Sequence, residues 1–175
     1  MDKINISNIF KDHFQTLRHY DKKQASFLDF LLFYGFPLLM GALLSWHLRV
    51  DFFIGVSTEL ITFYAVLGGF MLNLLALIYG FNTEKFNNPF LAKEVLRESV
   101  SNISYLIAVA SLLVILLFIL KVGTGINSDF GIGNQTIISI SEHIIVSFFV
   151  FSFINFCLTI FMVLKRFYSL NSNRE

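Results

Sequence analysis

The sequence predicts an all-α polytopic membrane protein: four transmembrane helices preceded by an N-terminal cytoplasmic amphipathic helix. Two observations carry that prediction. The first is four long stretches almost free of ionisable residues. Between Asp29 and Arg49 the only one is His47, Glu59 and Glu84 enclose 24 uncharged residues, Glu98 and Lys121 enclose 22, and His143 and Lys165 enclose 21. A helix crosses the ~30 Å hydrocarbon core with roughly 20 apolar residues. The second is charge asymmetry. Lys3, Lys11, Arg18, Lys22, Lys23, Lys85, Lys93, Arg97, Lys165, Arg166 and Arg174 fall on one side of these stretches, and only Arg49 and Lys121 on the other. The positive-inside rule then puts both termini in the cytoplasm. A hydrophobic fraction of 55% and 22 phenylalanines suit a chain solvated mostly by lipid.

Residues 1–26 form the predicted cytoplasmic segment. Over residues 4–20, Ile6, Ile9, Phe10, His13, Phe14, Leu17 and Tyr20 recur three or four apart, opposite Lys11, Asp12, Gln15 and Arg18. Ser7 is a candidate N-cap. Such a helix either docks on a membrane surface or partner, or covers the base of the bundle. The segment is too long and polar for the leading region of a cleavable signal, and no small-residue cleavage site is evident, so none is expected.

The single membrane domain is expected over residues 27–165, with spans near 27–48, 60–81, 100–120 and 144–164. Pro37 lies inside the first span between Gly35 and Gly41. It removes a backbone donor and predicts a kink, either a hinge or a purely structural bend. Trp46 suits the outer interfacial belt. A connection at 49–58 leads to the second span and then to a cytoplasmic loop, 82–99. There Asn88-Pro89 reads as an N-cap followed by proline at the first helical position. From Pro89 to Leu120 nothing breaks a helix of about 48 Å, long enough to project from the bilayer at its start. Lys93, Glu94, Arg97 and Glu98 mark that projection, as a partner contact or as a solvated face. The outer loop, 121–143, contains GTGINSDFGIG, whose glycines predict turns or an extended excursion. Residues 166–175 form a cytoplasmic tail.

Composition and motif exclude several function classes. Net charge near zero, with no basic stripe, argues against direct nucleic-acid binding. No hydroxyl or thiol has a base beside it, so no catalytic residue is expected. No histidine pair has ligand spacing, and neither a metal nor a cofactor is expected. His47, Asp51, Glu142 and His143 share the outer face without such spacing, and His13 and His19 read as ordinary surface histidines. Cys157, the only cysteine, is expected to pack as a small apolar residue. No acid or histidine lies deep in a span, which argues against proton-coupled transport.

Among the polar residues within the spans, Asn73 and Asn155 lie close to the middle of the second and fourth. Asn73 extends the small-residue row Ala65, Gly69. The third span offers Ser104, Ala108 and Ser111, the fourth Ser152, Asn155 and Thr159. These faces predict close helix packing and interhelical hydrogen bonds, within the chain or in a homo-oligomer. The alternative is a polar pore lining, although no charge ring or carbonyl filter accompanies it. A cytoplasmic partner surface is expected from Phe10, Phe14, Leu17, Arg18 and Lys22, with Lys93, Arg97, Lys165 and Arg166 beside them.

Four spans, cytoplasmic termini, the stretch FLDFLLFYGFPLLMG (27–41) and the lead-in LAKEVLRESVSNISYLI (91–107) resemble the KwaA family, the small membrane subunit of the bacterial Kiwa anti-phage system. The resemblance implies a non-enzymatic inner-membrane sensor or scaffold, a homo-oligomer such as a tetramer, in the lipid bilayer. It also implies a soluble DNA-binding partner (KwaB-like) on the cytoplasmic face, and it transfers no functional residues. The alternative class is a pore-forming or holin-like effector.

Overall fold

Among the described residues, four helices are long and apolar enough to cross a membrane: Phe27–Leu44, Ser57–Tyr79, Pro89–Val122 and His143–Tyr168. A computed structural model describes the backbone of residues 6–16, 27–86, 88–130 and 135–172, and among them there is no strand. Helix α1 (Ile6–Thr16) precedes the first span, which is built from α2 (Phe27–Phe30), a π-helical turn (Leu31–Gly35) and α3 (Phe36–Leu44). A short α4 (Val50–Gly55) occupies the connection to α5 (Ser57–Tyr79), and α6 (Pro89–Phe130) and α7 (Gln135–Ser172) complete the bundle.

Pro37 does not break the first span. The turn ahead of it widens instead, with the Phe36 N–H bonded to the Leu31 carbonyl five residues back and right-handed helical angles maintained at Gly35 and Phe36. A π turn is one of the few ways a helix accommodates such a local misfit while remaining continuous. The start of α6 follows the expected capping: Asn88 Oδ1 accepts from the Leu91 N–H at 3.1 Å, with Pro89 at the first helical position.

The expected outer loop at 121–143 is the main difference from the sequence reading. Helix α6 continues to Phe130 and α7 already begins at Gln135, so Gly123 and Gly125 are helical. Gly131 and Gly133 lie outside the described residues. A glycine costs a helix about 1 kcal/mol relative to alanine. That cost is small beside cooperative propagation from a helix already nucleated many turns earlier. The connection at 49–58 is likewise largely helical, because Val50 and Phe53 bury apolar side chains in the core.

Helices α6 and α7 form the central pair. Helix α5 packs on α6 and α3 packs on α7, while α3 and α5 make no contact among the described residues. The first span therefore docks on the fourth, not on the second. On α5 the buried positions Ser57, Tyr64, Met71 and Ile78 recur every seven residues, a narrow seam flanked by Leu60, Ile61, Leu67, Leu74 and Leu75, which pack half-buried against the core. Ile103, Leu106, Leu113 and Leu117 of α6 meet Val146, Phe149, Phe156 and Val163 of α7 in the core.

One glycine permits the close approach of α3 and α7. A Cβ at Gly41 would lie 2.6 Å from the backbone carbonyl oxygen of Ser147. The Ser147 hydroxyl donates to the Gly41 carbonyl at 3.1 Å, and His143 Nδ1 donates to the Ser45 carbonyl at 2.8 Å. Gly69, the expected packing glycine, has nothing within 4 Å of such a Cβ. Within one chain, the row Ala65, Gly69, Asn73 is exposed.

Candidate functional site: a buried polar cluster beneath the N-terminal helix

Helix α1 lies against α6, and its amphipathic pattern explains why. Ile9 and Phe10 pack on the core, while Lys11, Asp12 and Gln15 point away. The same inward face carries two polar residues, His13 and Thr16, three apart and both buried. Buried polar groups require partners, and α6 supplies them from Asn102 and Tyr105, which are also three apart and therefore share a face.

The His13 ring stacks parallel on Tyr105, with centroids 3.8 Å apart and planes 3° from parallel. His13 Nδ1 lies 2.8 Å from Asn102 Oδ1. An amide oxygen only accepts, so Nδ1 carries the hydrogen in the neutral ring. The Thr16 hydroxyl sits 2.8 Å from the same oxygen and 2.7 Å from the His13 carbonyl, its single proton shared between the two acceptors. Arg166 of α7 donates to the Thr16 carbonyl at 2.9 Å, closing the end of α1, and pairs with Glu98 of α6 at 3.1 Å. A cation on the last carbonyls of a helix also complements its dipole. Phe10 meets Tyr105 edge-on and Phe14 stacks on Tyr34 of the first span.

A second tier continues inward. The Tyr105 hydroxyl donates to Asn155 Oδ1 at 2.6 Å, and Asn155 Nδ2 donates to the Phe33 carbonyl at 2.8 Å. Phe33 is four residues before Pro37, so its carbonyl is the acceptor whose α-helical donor proline lacks. Asn155 supplies that donor from the neighbouring span. A single amide thus connects the first, third and fourth spans, with Thr159 bonded to the Asn155 carbonyl at 2.9 Å.

Burial governs the electrostatics of the upper tier. Loss of hydration holds His13 well below the usual imidazole range, down to about 4. The hydrogen bond that His13 donates to Asn102 opposes this shift, and the nearby Arg166 charge reinforces it. His13 Nε2, Asn102 Nδ2 and one guanidinium nitrogen of Arg166 are buried without a hydrogen-bond partner among the described residues.

Several expected site residues converge here and others do not. Phe10 and Arg166 belong to the cluster and Phe14 lies at its edge. Lys93, Arg97 and Lys165 are exposed, with Arg97 only 3.9 Å from Glu94. Leu17, Arg18 and Lys22 lie outside the described residues. Asn155, Ser152 and Thr159 are buried, and Ser104 and Ala108 half-buried. His13 is the clear correction: expected as a surface histidine, it has no accessible surface at all. The sequence signal was its place on the apolar face of α1, where Ile9 and Phe10 pack against the core. Asn102 and Tyr105 fall inside the span expected at 100–120 and were missed because only mid-span amides and small-residue faces were singled out.

No group of three or more metal-ligating side chains occurs among the described residues. His47 is exposed, and Asp51 pairs loosely with Arg49 at 3.6 Å. Chemically, the arrangement joins helices: its polar groups are mostly directed at one another and at backbone carbonyls. The chain matches no known protein family, no curated protein and no solved structure.

Proposed function

We propose that this protein is a non-enzymatic sensor or scaffold subunit of a bacterial inner-membrane defence complex, of the Kiwa type that its sequence resembles. In this reading both termini are cytoplasmic, the chain oligomerises in the membrane, and a soluble DNA-binding protein sits on its cytoplasmic face. The observation that carries it is the construction of the polar cluster. Its side chains hold α1 against the third and fourth spans, leaving Lys11, Asp12 and Gln15 of α1 and Lys93 and Arg97 of α6 outward at the same end. A docked helix with a charged outer face, beside a helix start with exposed basic residues, suits recruitment of a partner better than catalysis or conduction.

A pore-forming, holin-like effector is the second reading, and one observation favours it. Ala65, Gly69 and Asn73 form an exposed face of α5, and a Cβ at Gly69 would meet nothing within 4 Å. In a ring of copies, that face either packs between subunits or lines a lumen. Deleting residues 1–20 separates the readings. Lys22, Lys23 and the remaining basic residues should still orient the spans. The scaffold reading expects normal membrane abundance with loss of both partner co-purification and protective activity. Retained activity with membrane depolarisation and no bound partner would establish the pore.

A further inference from the structure

The arrangement around His13 has consequences for the chain itself, whatever partner it recruits. We propose that α1 is a proton-released strap, docked on the third and fourth spans while His13 is neutral and let go when His13 takes up a proton.

The geometry makes the docked site intolerant of an imidazolium. The neutral ring already uses its one hydrogen, on Nδ1, to bond Asn102. A second proton must go to Nε2, which is fully buried and has no acceptor among the described residues. A charged donor buried without a partner is among the most unfavourable arrangements in a protein interior. The surroundings do not compensate. From α7, Arg166 brings a like charge to the cluster. From α6, Glu98 is the carboxylate nearby, but it is already paired with Arg166 at 3.1 Å. Asn102 and Tyr105, also on α6, are neutral, as is Tyr34 of the first span. On α1 itself, Lys11 and Asp12 are exposed on the outer face. One effect opposes release: the face of Tyr105 attracts a cation stacked on it. That attraction does not replace hydration lost over the whole ring, and loss of hydration is the largest cause of the depressed pKa.

The rest of α1 is suited to release. It is short, at 11 residues, below the length at which a helix holds itself together in water. Its attachment is concentrated in Ile9, Phe10, His13 and Thr16, with Phe14 still 44% exposed. Release uncovers Asn102, Tyr105 and Arg166, which the docked helix buries.

The direction of the pH dependence follows from the sign of the shift. The docked pKa of about 4 lies below the free value of 6.5, so docking is strongest above pH 6.5 and weakens as pH falls from 6.5 toward 4. With these two values, docking at pH 5.5 is about tenfold weaker than at pH 8, with the full effect reached only below pH 4.

The test uses the full chain in liposomes. Spin labels are placed at Gln15→Cys on α1 and Arg97→Cys on α6, both exposed, in a Cys157→Ala background. At pH 8 the inter-label distance should be single and narrow. Between pH 6.5 and pH 4 a second, broad population should grow. His13→Phe retains a ring to stack on Tyr105 but cannot titrate, so its distribution should be the same at both ends of the range. A distribution unchanged from pH 8 to pH 4.5 with His13 intact would overturn the proposal, as would an undiminished pH response in His13→Phe.

Discussion

Asn155 carries more of the fold than its place in an apolar span suggests. It accepts from Tyr105 and donates to the Phe33 carbonyl, the acceptor orphaned by Pro37. Asn155→Ala leaves that carbonyl and the Tyr105 hydroxyl without their partners, and an unsatisfied buried polar group costs about 1–3 kcal/mol. The variant should therefore unfold in detergent with stability reduced by about that amount. Pro37→Ala restores a backbone N–H at the position that serves Phe33, so the double variant should recover part of the loss. A thermal-unfolding double-mutant cycle measures this, and strictly additive effects would show that the two residues do not share the carbonyl. The sequence exposed half of this pair. Asn155 and Pro37 were each visible as residues needing a partner, because hydrocarbon offers none. Which group satisfied which depended on the first span docking on the fourth, and no local pattern specifies that pairing.

Helix packing separates two glycines that look alike in the sequence. At Gly41 even a methyl group would collide with the rigid backbone of Ser147, whereas at Gly69 it would meet nothing within the chain. Gly41→Ala should destabilise the fold by about 1–3 kcal/mol, the usual cost of overpacking. Gly69→Ala should not destabilise the isolated chain, and should raise its stability by up to about 1 kcal/mol through alanine's better helix preference. The bulkier Gly69→Leu should alter oligomer size, measured by light scattering in mild detergent, if the face with Ala65 and Asn73 packs against a second copy. Unchanged oligomer size for Gly69→Leu would mean that this face meets lipid. Small-residue spacing was legible beforehand, but it cannot distinguish a contact within the chain from one between chains. Likewise the glycines at 123 and 125 signalled a loop, yet the helix continues through them. Residue preference sets a modest local cost, and a long nucleated helix overrides it.

On the scale of the whole molecule, the four apolar runs and the capping signal at Asn88-Pro89 were sufficient to anticipate four helices long and apolar enough to cross a membrane, and the start of the long third one. Apolar periodicity is a strong signal where the solvent is hydrocarbon. The polar cluster was not legible, because it joins His13 to Asn102, 89 residues apart, and forms only once α1 folds back onto the bundle. Its location makes orientation decisive. The end of the bundle that carries α1, the start of α6 and Arg166 must face the cytoplasm if it is to present a docking surface there. Reporter fusions in the intact chain measure this directly. Fusions after Asn82 and at Glu175 should be active only as cytoplasmic reporters, and a fusion at Ser128 only as an outer-compartment reporter. A cytoplasmic signal from Ser128 would contradict the four-span orientation and, with it, the cytoplasmic platform.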